Sequence, residues 1–214
     1  MRLNYENELE KLYDSVKQMG LSIEDTIEQT GRALQKLDTE AAKKIIAGDD
    51  AIDQMEMDIE KACLNLVITQ SPVAGDWRRI ASIMRMIADL ERIGDHCSDI
   101  SEYILSMAEN QRVEPPAQLE KMFGLMKSMM NSTVSAFVEQ DMDKARSVIT
   151  QDDLQDDYFF QVRQELTRQM QDNASQVPQR VDQLMIAKYL ERMSDHCTNL
   201  SEWVIYMVSG ELET

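Results

Sequence analysis

Apolar side chains recur at intervals of three and four residues in six stretches of this 214-residue chain. In the first stretch they include Leu9, Leu12 and Val16. This spacing places apolar residues on one face of an α-helix, whereas a strand would alternate apolar and polar residues. The pattern predicts six long amphipathic helices, built around the stretches 9–27, 45–66, 80–104, 119–129, 162–170 and 184–193.

Proline residues separate these stretches, and the chain has only 4 of them beside 7 glycines. Ser71-Pro72 lies between the second and third stretches, Pro115-Pro116 between the third and fourth, and 173–178 between the fifth and sixth. Proline favours positions just past helix ends and in first helical turns. We therefore expect an all-α fold of two tandem antiparallel three-helix bundles, with domains at 1–112 and 113–214.

Two segments that lie 100 positions apart are closely similar, which indicates an internal duplication. LERIGDHCSDISE occupies 90–102 and LERMSDHCTNLSE occupies 190–202, with 8 of 13 positions identical. Further upstream, DDAID at 49–53 corresponds to DDLQD at 152–156, at an offset of 103. Each predicted bundle thus contains one copy of the same acidic helix pattern.

Acidic residues in the second and third helices lie four positions apart, and residues with that spacing share a helix face. Glu91 and Asp95 flank the buried stripe of the third helix, as Asp49 and Asp53 do in the second. In an antiparallel helical hairpin that turns at Pro72, Asp53 and Glu91 each lie 19 residues from the turn. The two residues should therefore lie side by side at the same level along the hairpin axis. We expect these four carboxylates to converge, and we call them the first acidic cluster.

The same reasoning applies to the second bundle, whose hairpin turns near residue 174 or 175. It predicts a second acidic cluster, which consists of Asp152, Asp156, Glu191 and Asp195. A shift of one residue pairs Asp153 with Asp157 instead, and the pattern alone leaves both registers open.

Four neighbouring carboxylates repel one another unless protons or cations neutralise them. Oxygen-only clusters favour hard ions such as Mg²⁺, Mn²⁺ and Ca²⁺, while iron in helical bundles usually has histidine ligands as well. We predict metal sites for an ion among Fe, Mn, Mg, Zn or Ca. The alternative is a solvated acidic surface with Arg92 and Arg192 as counter-charges. Zinc ligation by His96-Cys97 or His196-Cys197 is disfavoured, because adjacent helix positions diverge by about 100°.

The net charge of −17 comes from 39 acidic and 22 basic residues, spread evenly over the two halves. Such a surface argues against binding to nucleic acids or anionic membranes, and it suits a basic protein partner. Three cysteines, no apolar run of about 18 residues and no apolar signal region predict a cytoplasmic protein. Neither a glycine-rich phosphate loop nor a nucleophile elbow occurs in the sequence, which argues against an enzyme.

The segments QSPVAGDWRRIASIMRMIADLERIGDH at 70–96 and MIAKYLERMSDHCTNLSE at 185–202 resemble the two repeats of the PhoU family. The resemblance extends over essentially the whole chain. It implies a cytosolic accessory regulator of inorganic phosphate uptake, which acts between the ATPase of the phosphate ABC transporter and a sensor histidine kinase. It also implies a homodimer that reaches the membrane only through these partners and damps the phosphate-starvation response.

Several PhoU-like proteins bind metal clusters through paired acidic motifs, so the resemblance implies that role for both acidic clusters. The motifs here are Asp49 with Asp53, Glu91 with Asp95, Asp152 with Asp156, and Glu191 with Asp195. Some positions depart from the family pattern without removing a carboxylate: Gly75 replaces an arginine, Ser194 replaces the glycine that Gly94 keeps, and Asp99 replaces an asparagine. A metal-dependent enzyme or metal store, and a purely structural scaffold, stay open as alternative functions.

Overall fold

The computed structural model describes residues 2–70, 72–110 and 112–211, with side chains described from residue 5 onwards. Within these ranges no strand occurs, and a short 3₁₀ turn at Ala174–Gln176 precedes the last of six α-helices. The helices are α1 (Arg2–Lys36), α2 (Thr39–Gln70), α3 (Ala74–Ala108), α4 (Ala117–Glu139), α5 (Met142–Asp172) and α6 (Val177–Ser209). The predicted all-α fold is confirmed. Ser71, part of the predicted break before α3, lies outside the described residues.

The turns between helices follow the prolines and capping residues of the sequence. α3 begins two residues after Pro72, Pro116 directly precedes α4, and Pro178 lies in the first turn of α6. Between α4 and α5, Gln140 adopts a left-handed conformation with a φ of 53°, and the side chain of Asp141 caps the start of α5. These residues end one helix and start the next in the opposite direction.

Packing among the helices gives two bundles that share one core. Helices α1, α2 and α3 contact one another, as do α4, α5 and α6, while α3–α6 and α1–α4 contacts join the halves. Buried apolar side chains from all six helices form a continuous cluster, whose removal from water stabilises the fold. The two antiparallel three-helix bundles are confirmed, and the domain limit at residue 112 stays a prediction. In the part of the chain that is described, no helix is apolar enough over a sufficient length to cross a membrane.

The two repeated segments meet at the centre of the molecule, where α3 packs against α6. The ring centroid of His96 lies 5.7 Å from that of His196 and 5.1 Å from that of Tyr189. Nδ1 of His196 lies 2.8 Å from Oδ1 of Asp89, so this contact also links the two halves. The duplicated pattern therefore forms the junction between the bundles.

A glycine allows α2 and α3 to approach closely beside the first acidic cluster. A Cβ atom at Gly94 would lie 3.0 Å from Cδ1 of Ile52, which is closer than ordinary van der Waals contact. Asp53 and Asp95 directly follow these two residues in the chain. The close contact therefore also holds the acidic faces of the two helices near each other.

The second bundle has polar residues at the corresponding positions. Gln155 takes the place of Ile52, and its side-chain amide donates a hydrogen bond to the backbone oxygen of Leu190 at 3.2 Å. Ser194 takes the place of Gly94, and its hydroxyl donates to the backbone oxygen of Glu191 at 2.6 Å. The contact between α5 and α6 is thus built differently from the contact between α2 and α3.

Candidate metal centre

Three carboxylates of the first acidic cluster converge between α2 and α3. One oxygen each of Asp49, Asp53 and Asp95 lies within 4.8 Å of the other two, and all three residues are half-buried. Asp49 and Asp53 stand one helical turn apart on α2, while Asp95 faces them from α3. The structure thus brings together three of the four residues that the spacing placed at similar heights.

Glu91 lies beside this group and is held by Arg92. Nε of Arg92 lies 3.3 Å from Oε2 of Glu91, and its Nη1 lies 2.8 Å from Oδ2 of Asp95. The Arg92 side chain is 59% exposed, so it approaches the cluster from the solvent side. Arg92 is therefore a counter-charge to the cluster, in agreement with one part of the solvated-surface alternative.

Burial and the repulsion of neighbouring carboxylates raise the pKa values of Glu91 and Asp49. Desolvation raises the pKa of Glu91 to about 7, with the Asp95 carboxylate as the next cause. Desolvation likewise raises the pKa of Asp49 to about 6, followed by repulsion from Asp95 and Asp53, while a hydrogen bond with Ser98 opposes the shift. The cluster thus has more negative charge than its surroundings stabilise.

The residues present fit a hard divalent cation. Oδ1 of Asp53 is buried and has no hydrogen-bond partner among the described residues, and the same is true of Oδ1 of Asp152 in the second cluster. A buried polar atom of this kind needs a partner, which a bound cation would supply. The converging donors are carboxylate oxygens, which Mg²⁺, Mn²⁺ and Ca²⁺ prefer. Occupancy by a metal stays a prediction.

Histidine and cysteine of the repeated segment lie elsewhere, as their helix positions predicted. The ring of His96 packs against Tyr189 and His196 of α6. Cys97 and Cys197 are fully buried, and desolvation raises the pKa of each thiol to about 12. Both thiols thus lie in the apolar core, the ordinary environment of a structural cysteine.

Glu56 is a cluster neighbour that the sequence analysis did not include. Desolvation raises its pKa, and the carboxylates of Glu60, Asp53 and Asp95 add to the shift. Its position three residues after Asp53 was the available signal, because i and i+3 residues also share a helix face.

The second acidic cluster assembles more loosely. Desolvation raises the pKa values of Asp152, Asp156 and Asp195, with neighbouring cluster carboxylates among the further causes. Asp152 is half-buried and forms a hydrogen bond with Ser194 of α6, whereas Asp153 is exposed, which favours the register that pairs Asp152 with Asp156. Within the described ranges, however, the close grouping of three ligand atoms occurs at Asp49, Asp53 and Asp95 and not here.

A lysine that the sequence analysis did not single out enters the second cluster. Nζ of Lys188 contacts Oε2 of Glu191, and the ammonium partly opposes the rise in the pKa values of Asp156 and Asp195. The counter-charge of this cluster is therefore Lys188 rather than the Arg192 that the sequence indicated.

We expect the metal-free protein to lose stability as the pH rises from about 4 to about 8. The folded-state pKa values of Asp49 and Glu91, about 6 and about 7, lie above those of an unfolded chain. Between these values the folded state therefore binds more protons than the unfolded state. Repulsion among the carboxylates is absent at a pH below the pKa values of the unfolded chain, and it is complete at a pH above those of the folded state. The loss should be about 2 kcal/mol, below the full linkage value because solvent reaches both carboxyls.

Urea unfolding in a chelating buffer at several pH values measures this loss. The double variant Asp49→Asn/Glu91→Gln is the control, and its stability should vary less with pH. Equal slopes for the variant and the wild-type protein would contradict the expectation.

A protein-family model described as the PhoU domain matches this chain twice, over residues 16–104 and 119–204. The phosphate-specific transport system accessory protein PhoU homolog of Clostridium acetobutylicum is 35% identical over 208 residues, which cover 97% of this chain and 95% of that protein. The accessory protein PhoU of Escherichia coli is 31% identical over 205 residues, covering 95% of this chain and 85% of that protein.

Solved structures agree with this relationship. The crystal structure of the phosphate transport system regulatory protein PhoU from Streptococcus pneumoniae superposes with a TM-score of 0.91 at 33% identity, covering 98% of this chain and 99% of that one. PhoU from Pseudomonas aeruginosa gives a TM-score of 0.93 at 28% identity, covering 97% of this chain and 100% of that one. With both of its halves matched by the same domain model, this chain belongs to the PhoU family.

Proposed function

We propose that this chain is a cytoplasmic, non-enzymatic regulator of inorganic phosphate uptake. The observation that carries the proposal is the match of both halves to the PhoU domain, together with relatives named phosphate-specific transport system accessory proteins. Those names describe accessory proteins rather than catalysts. The function is therefore one of binding other proteins.

The partners in this proposal are the ATPase of a phosphate ABC transporter and a sensor histidine kinase, contacted by a homodimer of the chain. The net charge of −17 favours basic surfaces on both partners and steers their encounter with this protein. The continuous core supports a body that keeps its shape during such contacts. At high phosphate, the protein would hold the kinase in the state that represses the starvation response.

A metal ion in the first acidic cluster is the second part of the proposal. Asp49, Asp53 and Asp95 would hold it, and Glu91 lies beside them to complete the coordination. When bound, a divalent ion supplies the positive charge that these carboxylates lack. The carboxylates of α2 and α3 would then attract a common ion instead of repelling each other, so occupancy stiffens the first hairpin and changes the surface charge that partners meet.

Deletion of the gene in its source organism tests the regulatory role. At high phosphate, the deletion strain should take up more phosphate and transcribe phosphate-responsive genes that the parent strain represses. Reintroduced wild-type protein should restore repression. Unchanged uptake and unchanged transcription in the deletion strain would reject the role. Reintroduced Asp53→Asn/Asp95→Asn protein separates the two parts of the proposal, because asparagine keeps the size of each side chain but removes the carboxylates that would bind the metal.

A metal-dependent enzyme or a metal store is the second candidate, favoured by the three converging carboxylates. Hydrolytic chemistry would need a metal-bound water and a substrate beside it. Assays of phosphatase and oxidase activity with Mn²⁺-loaded and Fe²⁺-loaded protein discriminate the candidates. Turnover that disappears in Asp53→Asn/Asp95→Asn would establish the enzyme, and its absence favours the regulator.

A further inference from the structure

The two acidic clusters differ at the positions that decide their charge. Along the repeat, Lys188 of α6 corresponds to the exposed Ala88 of α3, three residues before the cluster glutamate in each case. On the partner helix, Phe159 of α5 corresponds to Glu56 of α2. Both differences make the second cluster less negative than the first, because one adds a positive charge to the second cluster and the other removes a negative charge from it.

The Lys188 side chain is positioned to stay in the second cluster. Its ammonium contacts the Glu191 carboxylate, which is only 15% exposed, and lies 5.5 Å from the ring centroid of Phe159. An ammonium between a carboxylate and an aromatic face is stabilised by both. Glu56, at the place of Phe159, instead adds a carboxylate to the first cluster.

The counter-charge of the first cluster is arranged differently. Arg92 is 59% exposed, follows Glu91 directly and also contacts Asp95. A buried carboxylate oxygen without a hydrogen-bond partner among the described residues occurs in both clusters, at Asp53 and at Asp152, and so does not distinguish them.

Lys188 is 40% exposed and approaches Glu191 from one turn earlier on the same helix. An incoming ion therefore meets three converging oxygens beside an exposed guanidinium in the first cluster. In the second cluster, where the described residues form no such group of oxygens, it meets a less exposed ammonium that also lies against the Phe159 ring.

We infer that the Lys188 ammonium takes the place of a metal ion in the second acidic cluster and keeps divalent cations out of it. The comparison between the clusters rests on the proposed function, in which the first cluster binds a metal ion. The protein is then a single-centre molecule, although its sequence contains two copies of the acidic motif. Lys188 and Ala88 determine which copy accepts a metal.

Titration of the metal-free, full-length protein with Mn²⁺ by calorimetry tests the inference, with Lys188→Ala as the main variant. We expect Mn²⁺ at one centre in the wild-type protein, and at least a 10-fold gain in affinity at the second cluster in Lys188→Ala. This new binding should disappear when Asp152→Asn/Asp195→Asn is added. Lys11→Ala removes the same charge from α1, where the lysine is 71% exposed beside Glu8, and should change nothing.

The reciprocal variant Ala88→Lys places a lysine in the first cluster and should weaken Mn²⁺ binding there at least 10-fold. Thermal unfolding without metal is the independent readout, in which Lys188→Ala should lower the midpoint and Lys11→Ala should not. Wild-type protein that binds Mn²⁺ equally in both clusters would overturn the inference, and so would Lys188→Ala protein that gains no binding. Binding in Lys188→Ala with none in the wild-type protein would support the role of Lys188 while removing the metal from the first cluster. The regulatory role is judged separately by gene deletion.

Discussion

Replacement of Phe137 by alanine should lower the free energy of unfolding by about 3–5 kcal/mol. Phe137 is 2% exposed and its ring centroid lies 5.2 Å from that of Tyr13. With Val16 of α1, Met86 of α3 and Leu200 of α6 it lines a small apolar pocket where the two bundles meet. Truncation removes apolar contacts with both halves and leaves a void that the packed helices cannot close. The loss of unfolding free energy should therefore lie in the upper part of the range that is usual for phenylalanine-to-alanine substitutions in protein cores.

Urea unfolding followed by circular dichroism measures this change. Phe160→Ala is the matched control, because Phe160 is 47% exposed on α5, and its effect should be within about 1 kcal/mol. Similar midpoints for the two variants would mean that Phe137 does not hold the bundles together.

The double variant Asp53→Asn/Asp95→Asn should weaken Mn²⁺ binding by about 100-fold or more. It removes two of the three converging ligand oxygens, and with them two negative charges that attract the ion. Asparagine keeps the size of the side chain, so the helices should pack as before. Calorimetric titration of metal-free protein with Mn²⁺ gives the affinity, and mass spectrometry of protein purified without chelator gives the bound metal.

Asp50→Asn/Asp58→Asn is the control for that variant, because it makes the same charge change on the exposed side of α2. It should retain affinity within about threefold, since screening weakens interactions between solvent-exposed charges. Equal losses in the two double variants would mean that the ion responds to overall charge and not to a defined site. Retained binding in Asp53→Asn/Asp95→Asn would place the metal elsewhere or nowhere.

The helices could be predicted from the sequence because each must bury one stripe in the core, and burial leaves a 3.6-residue period that few glycines or prolines interrupt. The convergence of Asp49, Asp53 and Asp95 was also predictable, since hairpin geometry relates positions by their distance from Pro72. The choice of Asp152 over Asp153 needed the structure, because an irregular turn at 174–176 leaves the pivot of the second hairpin uncertain by one residue.

Two charged residues of the clusters could not be found by comparing the two repeats, because such a comparison selects the residues that both copies share. Lys188 and Glu56 have no counterpart of like charge in the other copy, and these differences distinguish the clusters. The position of the Lys188 ammonium depends on four flexible side-chain torsions and on the Phe159 ring, which helix periodicity does not encode. The close contact at Gly94 likewise depends on how far Ile52 reaches from the facing helix.

The packing of α3 against α6 joins the two helices that contribute to the two acidic clusters. α3 contributes carboxylates to one cluster and contacts His196 of α6 through Asp89, while α6 contributes carboxylates to the other. Closely packed interiors pass displacements on rather than absorbing them. We therefore expect a shift of α3, caused by a change of charge in the first hairpin, to displace α6 together with the carboxylates that α6 contributes to the second cluster.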